Sequence, residues 1–128
     1  MSYYFSKTLD CGFDDAVART IEALKEQGFG VLTEIDVAAT LKKKIGAEFR
    51  PYRILGACNP KLAFKALELE DKIGTMLPCN VVVQDAGGGK TEVAAIDPVA
   101  SMQAVENPEL KDAAADVRAL LKAAIDRL

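Results

Sequence analysis

Two cysteines of this chain each precede an asparagine, in Cys58-Asn59-Pro60 and in Pro78-Cys79-Asn80. The first pair sits where a strand runs into a helix, the second at the head of a strand. A helix N-terminus presents unpaired amides and partial positive charge, which favour thiolate over thiol. Cys58 is therefore expected to act as a nucleophile toward a disulfide, a persulfide or an electrophile. Cys79 becomes its partner if the two strands are neighbours, so Cys58 and Cys79 are the catalytic candidates. The same helix start can hold a small anion without any reaction, on the amides after Pro60, with Lys61 or Arg53 balancing the charge. The expected ligand site thus comprises Arg53, Cys58, Asn59, Lys61, Cys79 and Asn80. Against both stands the ordinary behaviour of free cysteine, a small hydrophobe that most often packs in a core. Ala57 and the run Val81-Val82-Val83 beside the cysteines suit that role.

Other chemistries are pruned by composition. The chain has no histidine, which removes Ser-His and Cys-His pairs of the usual kind. Three scattered cysteines fall short of the four Cys and His ligands of a structural zinc site, so no metal and no cofactor is expected. A redox CxxC is absent. Carboxylates such as Glu48, Glu68, Glu70, Asp71 and Asp97 show no spacing that marks a catalytic pair. Gly87-Gly88-Gly89 precedes a strand, whereas a phosphate loop needs a helix there. Lys42-Lys43-Lys44 spreads over most of a helix circumference and reads as a solvated face. Cys11, alone in the first connection, is incidental.

The elements that must position the cysteines follow from periodicity. YYFSKTL alternates as an outer strand does. Phe13, Val17, Ile21 and Leu24 lie on one face of a helix that Gly28 closes. FGVLTEI predicts a second strand, Asp36 caps a short helix ended by Gly46, and YRILGA makes a third strand. Three helix starts share one chemistry, Asn59-Pro60, Asp97-Pro98 and Asn107-Pro108, in which the side chain caps and proline loses no bond it would have made. CNVVVQ, the glycine triplet and KTEVAAI form a hairpin. The last helix places Leu110, Ala113, Val117, Leu120, Leu121, Ala124 and Leu128 on an apolar stripe, which can cover a sheet or meet its copy in a second subunit. About five strands with four or five helices imply an α+β fold. The expected form is a two-layer sandwich, helices on one face of a mixed, largely antiparallel sheet.

The 128 residues fit a single domain over 1–128 that needs no staple. A net charge of −3, from 16 basic and 19 acidic residues, suits nucleic acid poorly. No apolar run approaches the roughly 20 residues of a membrane helix, and MSYYFSKTLD is too polar for a secretion signal. Three cysteines build no disulfide framework, and the cytoplasm is the expected compartment.

LGACNPKLAFKAL, IGTMLPCNVVVQDAGGGKTEVAAIDP and, upstream, GFGVLTEIDVAATLKKKIGAEFRPYRILGACNP together resemble the bacterial and archaeal domain-of-unknown-function family numbered three hundred and two. The resemblance extends over nearly the whole chain. Its characteristic positions are Gly56, Cys58, Asn59, Pro60, Pro78, Cys79, Asn80, Asp97 and Pro98. It implies a small α+β domain, commonly dimeric, with no assigned activity. The leading expectation is a cytoplasmic homodimer that binds a small ligand, metabolite or anion near the Cys-Asn motifs. A thiol- or sulfur-handling enzyme or carrier using Cys58 with Cys79 is the alternative. A third is an interaction module whose surface is the last helix.

Overall fold

Strict alternation builds the central layer. Cys79, Val81 and Val83 are buried along β4 (Cys79–Gly87) while Asn80 is exposed, and Thr91, Val93 and Ala95 are buried along β5 (Lys90–Ile96). The computed structural model describes residues 2–128. The remaining strands are β1 (Tyr4–Leu9), β2 (Gly30–Asp36) and β3 (Tyr52–Cys58), and the order across the sheet is β1-β5-β4-β3-β2. The helices are α1 (Phe13–Glu26), α2 (Val37–Ile45), α3 (Pro60–Leu69), α4 (Pro98–Ser101) and α5 (Pro108–Asp126). A 3-10 helix over Asp71–Met76 follows α3.

Every neighbouring pair of strands is antiparallel, so the α+β sandwich with a mixed, largely antiparallel sheet expected from the sequence is found with the sheet antiparallel throughout. β1 and β2 run the same way but stand at opposite edges, with β4 between them, so strands of like direction never meet. The hairpin β4–β5 is as expected, closed by Gly87, Gly88 and Gly89 at positive φ.

Helix ends obey their local chemistry. Asn59 accepts from the Leu62 amide, Asp97 from Val99 and Asn107 from Glu109. Asn107 also donates through Nδ2 to the Leu69 carbonyl at 3.1 Å, which ties the end of α3 to the start of α5. At the end of α1, Gly28 (φ 86°) donates to Lys25 and Phe29 donates to Leu24, the paired bonds of a Schellman motif. That turn delivers Phe29 into the core.

Two cores lie on the helix side of the sheet. The larger joins Leu55, Ala57, Val81, Val83 and Val93 of the sheet to Ala16, Val17 and Leu24 of α1 and to Leu121, Ala124 and Ile125 of α5. The smaller joins Ala66, Ile73, Met102, Leu110 and Ala114. α5 spans both, so its apolar stripe is consumed within the chain. The last helix therefore does not offer the surface that an interaction module would need. α2, by contrast, has no buried residue. Among the described residues no helix is long and apolar enough to cross a membrane.

Candidate functional site

Both Cys-Asn motifs come to one end of the sheet. Cys58 is the last residue of β3, Asn59 caps α3, and Cys79 opens β4 directly opposite Ala57. Gly56 lies between β2 and Pro78. A Cβ there would overlap Thr33 Oγ1 outright and stand 2.7 Å from Pro78 Cγ, so the glycine of the Gly-Ala-Cys-Asn-Pro run is what lets these three segments close up. Asn59 is held on two sides. Its Oδ1 accepts from Leu62 at 3.3 Å, and its Nδ2 packs 3.1 Å from where a Gly28 side chain would begin.

Between this end of the sheet, α3 and α5 is a narrow cleft, open to solvent, with a cavity volume of about 40 Å³. Cys58, Cys79, Leu62, Ala63, Met102 and Ala114 are among its walls, and no charged side chain lines it. The cleft falls at the seam between the two cores, Ala57 and Cys79 coming from one and Ala66, Met102 and Leu110 from the other. Cys79 is buried and Cys58 half-buried; both are free thiols.

The electrostatics reverse the expectation for Cys58. Burial raises its thiol above the ordinary value. Burial, and to a lesser extent the proximity of Cys58, pushes Cys79 up to about 11. The reason lies in how α3 begins. Pro60 has no N–H, the Leu62 amide is taken by Asn59 Oδ1, and the Ala63 amide by the Asn59 carbonyl. Of the helix's opening amides only that of Lys61 is left, too little to offset desolvation of a thiolate. The same shortage argues against an anion seated on the helix tip.

The structure brings together Cys58, Asn59 and Cys79 and separates the other expected residues. Lys61 is exposed and does not line the cleft. Arg53 lies five residues back along β3, about 17 Å away at the usual rise per residue. There it bonds Glu34 through Nη1 at 2.7 Å, approaches Asp36 at 3.8 Å, and stacks 5.4 Å over the Phe13 ring. It cannot balance charge at Cys58. Asn80 points to the opposite face of the sheet, where Tyr4, Tyr52, Val82 and Ala94 also lie. Phe29, Leu77, Met102 and Ala114 are cleft residues that the sequence did not single out. They come from five separate segments together with the cysteines and share no spacing. Only the Gly28 helix stop hinted that Phe29 was anchored.

A family model matches residues 5–128, and its description is a domain of unknown function, DUF302. Among solved structures, the chain is similar to an uncharacterised conserved DUF302 protein from Bacillus stearothermophilus. The identity is 33%, over 99% of this chain and 98% of that one, with a TM-score of 0.91. No protein of curated function matches it. The chain thus belongs to the DUF302 family.

Proposed function

We propose that this chain is a homodimeric binding protein whose ligand is small, uncharged and largely apolar, held in the cleft beside Cys58 and Cys79. The supporting observation is the cleft wall itself, largely apolar, with Asn59 and two thiols as its polar groups and no charged side chain. An apolar ligand gains about 25 cal/mol for each Å² it removes from water. An anion in the same place would lose several kcal/mol of hydration with nothing to replace it. Free thiols suit the cytoplasm, which is the compartment we propose.

Ligand-observed saturation-transfer NMR separates the two ligand types. Indole is expected to bind and benzoate, an anion of similar size, is not. Ala63→Phe, which fills the cleft from a half-buried position on α3, is expected to abolish the indole signal while leaving the melting temperature within a few degrees. Absence of any indole binding would defeat the proposal, and preference for benzoate would restore the anion.

The dimer draws support from the β2 edge, where Leu32 is 68% exposed, Ile35 46% and Ile45 of the neighbouring α2 73%. Light scattering at micromolar concentration is expected to give a dimer, and the pair Leu32→Lys and Ile45→Lys a monomer. A monomeric wild-type chain removes this part of the proposal and leaves the cleft untouched.

A further inference from the structure

We propose that Cys58 and Cys79 together form a two-thiol capture site for an uncharged trivalent arsenic species, arsenous acid or an organoarsenous acid, seated in the cleft. The inference rests on the cleft being a ligand site and supplies the ligand's chemical class. Three observations lead to it. Both cysteines line one cleft, in which no side chain is charged and no other thiol lies. Cys79 faces Ala57 across the β3–β4 ladder, and Cys58 is the next residue along β3. Strand spacing and rise then put the two Cα atoms about 6 Å apart. The thiols are also electrostatically coupled, since Cys58 raises the cost of ionising Cys79.

Charge decides among thiol-seeking ligands. A zinc ion wants further ligands, and among the described residues no group of three or more His, Cys, Asp or Glu is placed to supply them. A cuprous ion held by two thiolates leaves one net negative charge in an apolar cleft with no cation to balance it. Trivalent arsenic avoids that charge. Each thiol gives its proton to an As–OH group, which leaves as water while an S–As bond forms. One arsenous acid and two thiols become a neutral dithioarsenite bearing the remaining hydroxyl, plus two waters. Arsenic stays trivalent and sulfur is not oxidised, so no further reagent is needed. The protonated thiols that burial maintains here are the form this condensation consumes.

The test uses phenylarsine oxide, which hydrates to phenylarsonous acid, with intact-mass spectrometry and competition by ethanedithiol. The full chain is expected to take up one phenylarsenic group with loss of both hydroxyls. Cys58→Ala or Cys79→Ala should each weaken capture about a hundredfold, because the second bond then lacks the effective concentration that closes the ring. Cys11→Ala should leave it unchanged. If Cys79→Ala does not fold, Cys58→Ala at the half-buried position decides alone. No adduct, an adduct that survives Cys58→Ala undiminished, or one that depends on Cys11 would overturn the proposal. Indole binding measured in parallel keeps the two ideas apart. Indole bound without arsenical capture ends the two-thiol site and leaves the cleft standing. Capture without indole binding supports the thiol pair and counts against the apolar ligand.

Discussion

Gly56→Ala is expected to destabilise the protein by about 1–3 kcal/mol, the usual cost of overpacking a tight site. For a domain of this size that is a fall of roughly 4–12 °C in melting temperature. The new methyl group would meet two obstacles at once, Thr33 Oγ1 from β2 and Pro78 Cγ, 2.7 Å away, from the segment leading into β4. Neither yields readily. Thr33 is β-branched, so rotating the hydroxyl away brings its methyl around, and the Pro78 ring has no rotamer to change. The matched control is Gly30→Ala on β2, opposite Cys58, where an added Cβ meets nothing within 4 Å. That change should be neutral or slightly stabilising, since alanine loses less chain entropy in a strand. Calorimetric melting of both variants checks the claim. If Gly56→Ala melts with the wild type, the close approach of β2, β3 and Pro78 does not matter to the fold. A functional consequence follows, because prising Pro78 from β3 moves Cys79 relative to Cys58. Indole binding should weaken in Gly56→Ala and persist in Gly30→Ala.

The second large effect concerns the thiols. With its thiol pushed from 9.0 up to about 11, Cys79 is ionised about a hundredfold less than a free thiol at pH 7. Iodoacetamide reacts with the thiolate, so Cys79 should label roughly 100-fold more slowly than a free thiol even before restricted access is counted. Cys58, half-buried and raised less, should label more slowly than a free thiol and faster than Cys79. Peptide mapping after timed exposure at pH 7 to 9 distinguishes the sites. Labelling of Cys58 faster than a free thiol would mean that the helix tip outweighs burial, and would return the nucleophile expected from sequence.

Stability carries the same signature with a definite sign. The folded chain holds the Cys79 proton more tightly than the unfolded chain, so unfolding above the ordinary thiol range releases a proton. The contribution, roughly 3 kcal/mol, is complete below pH 8 and is lost as pH rises toward about 11. Lysines and tyrosines also titrate in that window, so the comparison is between wild type and Cys79→Ala. The variant should be less stable near pH 7, because it leaves a small cavity, yet its melting temperature should fall less steeply between pH 9 and 11. Parallel slopes would show that Cys79 is more solvated than its 7% exposure indicates.

The two effects bear on what the site can do. Protonated, partly enclosed thiols are poor nucleophiles at neutral pH, which weakens the enzyme alternative built on a Cys58 thiolate. They remain competent for reactions that consume the thiol itself. The cleft is well suited to hold a neutral molecule while such a bond forms, because no wall residue favours charge.

Local interactions were legible in the sequence. The three caps at Asn59, Asp97 and Asn107, the Gly28 and Gly46 stops and the β4–β5 hairpin depend on residues a few positions apart, and the structure bears them out. The α+β class followed from the same patterns. What tertiary structure alone decided was how distant segments meet and what that does to charge. No periodicity within β1 or β2 says that they occupy opposite edges, and that placement makes the sheet wholly antiparallel. Asn80 was assigned to the site by its neighbour in sequence, and the two-residue repeat of a strand sent it to the other face. Arg53 shares a strand with Cys58 and is separated from it by the strand's length. The Cys58 thiol is governed by its burial at the end of the sheet, which no nearby residue announces, while Asn59 itself consumes the amides that would have favoured the thiolate. Short-range hydrogen bonds are written into consecutive residues; burial, and the proton affinity it sets, is a sum over the whole fold.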